Sequence, residues 1–277
     1  MKEIILTPKE LPNIPLEVEI SPDNLAKKSL ADIAKIKILK GNREKELGTF
    51  FDVKGEPAEN PADLKLVING NVDRVKFLGA SMSAGEVLIK GNAGMHTGDD
   101  IKGGKITIEG NCADFCAMEM KGGEFEVKGS AGNYLGGAKR GTWMGSSKGK
   151  IVVAGNVGSE VGVWMNGKAM LMQLKGNVGA FLGTHMNAGT IIVDGNVDNR
   201  VGGEMSGGII VINGKLSEIL PSFTYAGEVK EIQLSETEKI PGNYLKFEGD
   251  FANIDPKGKN KGEIYLNKAK NAHLLKQ

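Results

Sequence analysis

The segment Ile106-Thr107-Ile108-Glu109-Gly110-Asn111 decides the fold. Apolar and polar side chains alternate over four residues, the period of a strand with one buried face, and Gly-Asn then breaks it with a turn. The same design returns as LVING at 66–70, VLIKG at 87–91, FEVKG at 125–129, IVVAG at 151–155, MQLKG at 172–176, IIVDG at 191–195 and IVING at 210–214. The terminal glycines of these eight copies stand 21, 19, 19, 26, 21, 19 and 19 residues apart. Such strands are too short to bury a face alone, so equivalent strands must stack one repeat upon the next.

Working outward from the anchor glycine, each repeat carries the same residue types at the same offsets. Asn follows it at Asn71, Asn92, Asn111, Asn156, Asn177 and Asn196, a residue that tolerates turn and left-handed backbone. Seven residues on stands a second glycine column, Gly98, Gly136, Gly162, Gly183 and Gly202, which is expected to form a structural corner. Ten residues on stands a methionine column, Met120, Met165, Met186 and Met205, with Ile101 in the equivalent place. Flexible thioethers recurring once per repeat fit an interior ladder better than a soft-metal site. Ile106 and Ile108 are expected to face Val87, Ile89, Phe125, Val127, Ile151 and Val153 along continuous parallel sheets.

The expected architecture is therefore all-β, a parallel β-solenoid with one such strand per coil. Spacings of 19 and 21 are not multiples of six, which disfavours a left-handed hexapeptide helix. At about 4.8 Å per coil, eight coils would span roughly 38 Å. The Gly-rich coils occupy 64–217. An N-terminal cap fills 1–63, with one helix over 22–35 announced by Ser21-Pro22-Asp23 and the apolar stripe Leu25, Leu30, Ile33 and Ile36, followed by short strands. A C-terminal cap and tail fill 218–277, with strand-like VKEIQL, YLKFEG and EIYL and an exposed charged turn over 257–262.

Composition removes several function classes. The net charge is +1 and only four arginines occur, so nucleic-acid binding is disfavoured. The first residues lack a signal-peptide core, no apolar run reaches the length of a membrane span, and a cytoplasmic protein is expected. Cys112 and Cys116 are too few for a disulfide scaffold or a four-Cys cluster. They read as inert thiols or as part of a metal site that another chain would complete. His96, His185 and His273 fall in no ligand pattern, and the glycines make no G-x-G or Walker loop. No catalytic, cofactor-binding or metal residue is assigned.

The spacing of 26 between Gly129 and Gly155 marks one interrupted repeat. Its extra residues bring together Tyr134, Arg140, Trp143 and Met144, types enriched where one protein grips another, and these are the candidate partner contacts. An adventitious surface insertion is the alternative.

The G-N-x-G and G-x-x-M-x-x-G pattern resembles the Gly-rich repeat domain shared by the glutamate synthase large subunit and the C subunit of formylmethanofuran dehydrogenase. The lead-in ILKGNREKELGTFFDVKG and the interruption KRGTWMG most resemble the dehydrogenase subunit. That resemblance implies a right-handed parallel β-helix and a non-catalytic structural role. The complex it implies reduces carbon dioxide with ferredoxin electrons and forms formylmethanofuran in the first step of methanogenesis in archaea. Its partners would be a pterin-containing subunit, an amidohydrolase-like subunit and ferredoxin-like subunits. Molybdopterin or tungstopterin, iron–sulfur clusters and a metal pair would lie in those subunits, with no cofactor here. Two alternatives stay open: a freestanding glutamate-synthase-like β-helix of an amidotransferase complex, and a β-helical carbohydrate-active enzyme.

Overall fold

The computed structural model describes residues 1–235, 237–251 and 261–276. The turn expected at 257–262 lies outside them as far as residue 260. In chain order the elements are β1 (Lys2–Pro8), β2 (Leu16–Ile20), α1 (Pro22–Leu25), α2 (Leu30–Ala34), β3 (Lys37–Lys40), β4 (Arg43–Glu46), β5 (Phe51–Gly55), β6 (Leu64–Ile68), β7 (Val75–Leu78) and β8 (Glu86–Ile89). There follow β9 (Lys105–Ile108), β10 (Lys121–Val127), β11 (Lys148–Val153), β12 (Asn166–Leu174), β13 (Ala188–Val193), β14 (Ile209–Ile212), β15 (Thr224–Gln233), β16 (Lys239–Gly249), β17 (Gly262–Asn267) and α3 (Lys268–Asn271).

These strands make one 13-stranded sheet in the order β15-β16-β17-β14-β13-β12-β11-β10-β9-β8-β6-β1-β5 and one four-stranded sheet in the order β4-β3-β2-β7. The chain is all-β, but the right-handed parallel β-helix expected from sequence is not what it forms. The large sheet is mixed: β5 joins β1 antiparallel, while β16 joins β17 and β15 joins β16 antiparallel at the other end. In the small sheet β3 and β4 are antiparallel as well. The reversal occurs where the twenty-residue pattern stops: β15 and β16 form a hairpin at one end, and β5 returns against β1 at the other.

Between those ends the eight repeat strands pair parallel and in register. Leu66, Val87, Ile106, Phe125, Ile151, Met172, Ile191, Ile210 and Ile264 form one file across the sheet, and every member is at most 1% exposed. Each such side chain contributes about 1.5–3 kcal/mol by leaving water. A second line of parallel bridges runs Val72, Ala93, Cys112, Ala131, Val157, Val178, Val197 and Leu216, two residues past each anchor glycine. Met120, Met165, Met186 and Met205 are fully buried.

The anchor glycines stack because a side chain has no room there: a Cβ on Gly110 would stand 2.7 Å from the Gly91 carbonyl. The Asn column works differently from its sequence reading. None of its members has left-handed backbone. Instead Asn92 Oδ1 accepts the Asn111 N–H at 2.9 Å, Asn111 Oδ1 accepts that of Ser130 at 2.8 Å, and Asn177 Oδ1 accepts that of Asn196 at 2.8 Å. The amide ladder satisfies backbone donors at the turn, where no strand partner is available.

The single helix expected over 22–35 is two short ones. After α1 the chain turns through Lys27 at φ 65°, and α2 restarts where Ser29 Oγ accepts the Asp32 N–H at 3.2 Å. Serine recaps a new helix at the point where the left-handed residue ends the first.

Candidate functional site

Two further columns of the repeat build the face that carries the chemistry. Five residues past the anchor, His96, Phe115, Tyr134, Glu160, Phe181 and Arg200 all hold φ between 57° and 63°. Nine past it, Asp100, Glu119, Trp164, His185 and Glu204 hold φ between 53° and 61°. Left-handed backbone is costly for such residues unless the surroundings enforce it. Here the next repeat does so, since His96 N–H donates to Asp114 O, Phe115 N–H to Asn133 O and Trp164 N–H to Thr184 O.

The first column stacks as a ring ladder. Phe77, seven residues past Gly70, lies over His96 at 4.9 Å between centroids and extends the column, in which His96 lies over Phe115 at 5.2 Å and Phe115 over Tyr134 at 4.9 Å, with planes within 21°. The second column gives a shorter ladder, Trp164 over His185 at 4.1 Å, which Trp143 of the loop extends by lying over Trp164 at 6.0 Å. Arg200 covers the Phe181 ring at 5.5 Å.

Tyr134, expected in the extruded loop, instead belongs to the regular ladder, and its hydroxyl donates to Glu160 Oε1 at 2.8 Å. That acceptor, together with burial, pushes the phenol pKa up. The true excursion begins after it. Lys139 N–H and the Thr142 hydroxyl both donate to Glu119 Oε1, and buried Ser146 donates to Ala117 O at 3.1 Å while accepting the Met120 N–H at 3.0 Å. Between these ties Arg140 is exposed, and Trp143 and Met144 are 72% and 68% exposed. The structure thus keeps Arg140, Trp143 and Met144 together on the loop and sets Tyr134 beneath it.

Against this face lies a cavity of about 490 Å³ lined by His96, Phe115, Met118, Tyr134, Ala138, Lys139 and Arg140. Asp99, 3% exposed, sits behind His96 and Lys139: its Oδ2 is 3.0 Å from His96 Nδ1 and 3.6 Å from Lys139 Nζ. Its Oδ1 is buried without a hydrogen-bond partner. Burial raises the Asp99 pKa against the opposing pull of His96 and Lys139.

The corner glycines Gly98, Gly136, Gly162, Gly183 and Gly202 all have φ between 66° and 75°. Among the described residues no three His, Cys, Asp or Glu side chains converge as a metal centre needs. Cys112 and Cys116 are both buried, and burial followed by the neighbouring Cys112 pushes the Cys116 thiol well up, which disfavours a thiolate ligand. Two cysteines fall short of the four thiolates that hold an iron–sulfur cluster. Among the described residues no helix is long and apolar enough to cross a membrane. The ring ladders escaped sequence reading although their offsets of five and nine were periodic, because aromatic, His, Glu and Arg residues alternate there and no single residue type repeats.

Fold and face together define an all-β repeat protein whose distinctive surface is a wall of stacked rings beside an anchored loop. No family model matches the chain. It is 41% identical over 274 residues to the C subunit of the tungsten-containing formylmethanofuran dehydrogenase 2 of Methanococcus maripaludis, covering 97% of this chain and 99% of that one. A second sequence of that name from M. maripaludis is 43% identical over the same length. The corresponding subunit of Methanothermobacter thermautotrophicus is 52% identical over 99 residues, which span only 37% of that relative. Among solved structures, the formyltransferase/hydrolase complex of Methylorubrum extorquens in complex with methylofuran contains a chain of the same fold, with TM-score 0.81 and 24% identity over 95% of this chain and 99% of that one. The chain belongs to the family of formylmethanofuran dehydrogenase C subunits.

Proposed function

We propose that this chain is a non-catalytic, structural subunit of a cytoplasmic formylmethanofuran dehydrogenase complex. The observation that carries the reading is the end-to-end identity with two subunits of that enzyme. On this reading the complex reduces carbon dioxide with ferredoxin electrons and loads the formyl group onto methanofuran. The pterin, iron–sulfur clusters and metal pair belong to pterin-containing, amidohydrolase-like and ferredoxin-like partners, and this chain holds them in place.

The loop supports a gripping role on physical grounds. An exposed Trp of this size can remove about 150–250 Å² from water on docking. Trp and Arg are also the types that dominate interface energetics. The loop is anchored at Glu119 and Ser146, and its apex adds only the Trp143–Trp164 stack and the Arg140–Tyr134 contact, both outside the buried file of the repeats, so Trp143 and Arg140 can be altered without unfolding the repeats. The double variant Trp143→Ala with Arg140→Ala should keep the wild-type circular dichroism spectrum yet lose partner subunits in a pull-down from cell extract. Wild-type retention would move the grip to the sheet faces or the chain ends.

A further inference from the structure

The cavity beside the ring ladder has a wall of unusual polarity. Phe115 is stacked on both sides, by His96 and by Tyr134, so its faces are covered and what remains for the cavity is its rim. Ring rims carry the positive end of the aromatic quadrupole, and an incoming ring prefers to lay its own face on them. Met118 and Ala138 add apolar surface, and two cations, Lys139 and Arg140, also line it. Lys139 is offset by Asp99 at 3.6 Å. Arg140 has its interaction with the Tyr134 hydroxyl but forms no ion pair among the described residues. The cavity's size, about 490 Å³, is that of a small-molecule site.

We propose that this cavity binds a small aromatic carboxylate, its ring laid against the rims of Phe115 and Tyr134 and its carboxylate taken by Arg140, with Lys139 second. A cationic ligand would meet Arg140 and the positive rims, and a purely aliphatic acid would lose the ring-on-rim contact. A guanidinium can hold a carboxylate through two parallel N–H donors, which a neutral amide cannot accept equally well. The site shares Arg140 with the proposed docking loop, but docking is assayed by partner retention with no ligand added, so either reading can fail alone.

The test uses the full-length chain and 2-naphthoate, with 2-naphthamide and cyclohexanecarboxylate as matched probes, in calorimetric or NMR titrations. Naphthoate should bind with a Kd of about 1 mM or tighter, and both comparison probes should bind at least about tenfold more weakly. Arg140→Gln should weaken naphthoate about tenfold and leave the amide unchanged. Phe115→Leu should weaken naphthoate and amide alike, with thermal unfolding recorded for each variant. Arg140 lies on the exposed loop, so its variant keeps the test valid if Phe115→Leu does not fold. Absence of naphthoate binding at about 10 mM, equal binding of the amide, or undiminished binding by Arg140→Gln would each overturn the proposal.

Discussion

Trp164 and His185 lie ring on ring, centroids 4.1 Å apart and planes within 6°, although 21 residues separate them. Both occupy the ninth position past an anchor glycine and both have left-handed backbone, so the repeat itself sets the contact. An aromatic pair is worth about 0.5–1.5 kcal/mol beyond the area it buries. His185→Ala should therefore lower the unfolding free energy by about that amount, measured by urea titration. A value indistinguishable from wild type would mean that the stacking adds nothing to stability.

Gly183 is held at φ +67° with the Ile210 Cδ1 only 2.6 Å from where a Cβ would stand. Gly183→Val combines backbone strain with overpacking and should cost at least about 3 kcal/mol. Gly227 also has positive φ, +113°, but meets nothing within 4 Å, so Gly227→Ala should cost only the backbone term of about 1 kcal/mol. Similar losses in thermal unfolding at the two sites would show that crowding plays no part at Gly183.

The amide ladder gives a third expectation. Asn111→Ala removes the acceptor of the Ser130 N–H at 2.8 Å and should destabilise by about 0.5–1.5 kcal/mol. Asn111→Asp, which keeps an acceptor oxygen in place, should recover most of that loss at neutral pH. Equal loss in both variants would refute the acceptor role.

The parallel register, the stacked anchors and the buried methionines were legible because Gly, Asn and Met each recur at a fixed offset. What surrounds them was not. β5, β15 and β16 lie outside the repeat, and alternation of apolar and polar residues is the same in parallel and antiparallel pairing, so the mixed sheet left no mark in the pattern. The helix break at Lys27 has no glycine to mark it. Tyr134 reads as part of the insertion because both lie within one long spacing, whereas its offset of five matches Phe115 and His96 and places it in the ladder.

Asp99 supplies a pH signature. Its native pKa is raised by burial above the ordinary carboxylate value, so between those two values the native state holds more protons than the unfolded one. Stability contributed at this site is therefore greatest at low pH and declines as pH rises through the native value. Around it stand His96, Lys139 and Cys116, which the substitution Asp99→Asn leaves in place. Relative to wild type, Asp99→Asn should gain stability as pH rises above about 4, read from urea midpoints across roughly pH 4 to 7. A constant difference across that range would show that Asp99 titrates alike in both states.

The proposed role has this chain holding catalytic partners and carrying no reaction centre of its own. The direct measurement is anaerobic affinity capture of the tagged full-length chain from its native cells, with mass spectrometry of the captured proteins and metal analysis before and after partners are stripped. Pterin-containing and amidohydrolase-like subunits are expected in the captured complex, with molybdenum or tungsten and iron that leave with them, and a stripped chain free of bound metal. Capture of glutamate synthase components, or a pterin or cluster remaining with the stripped chain, would contradict that role.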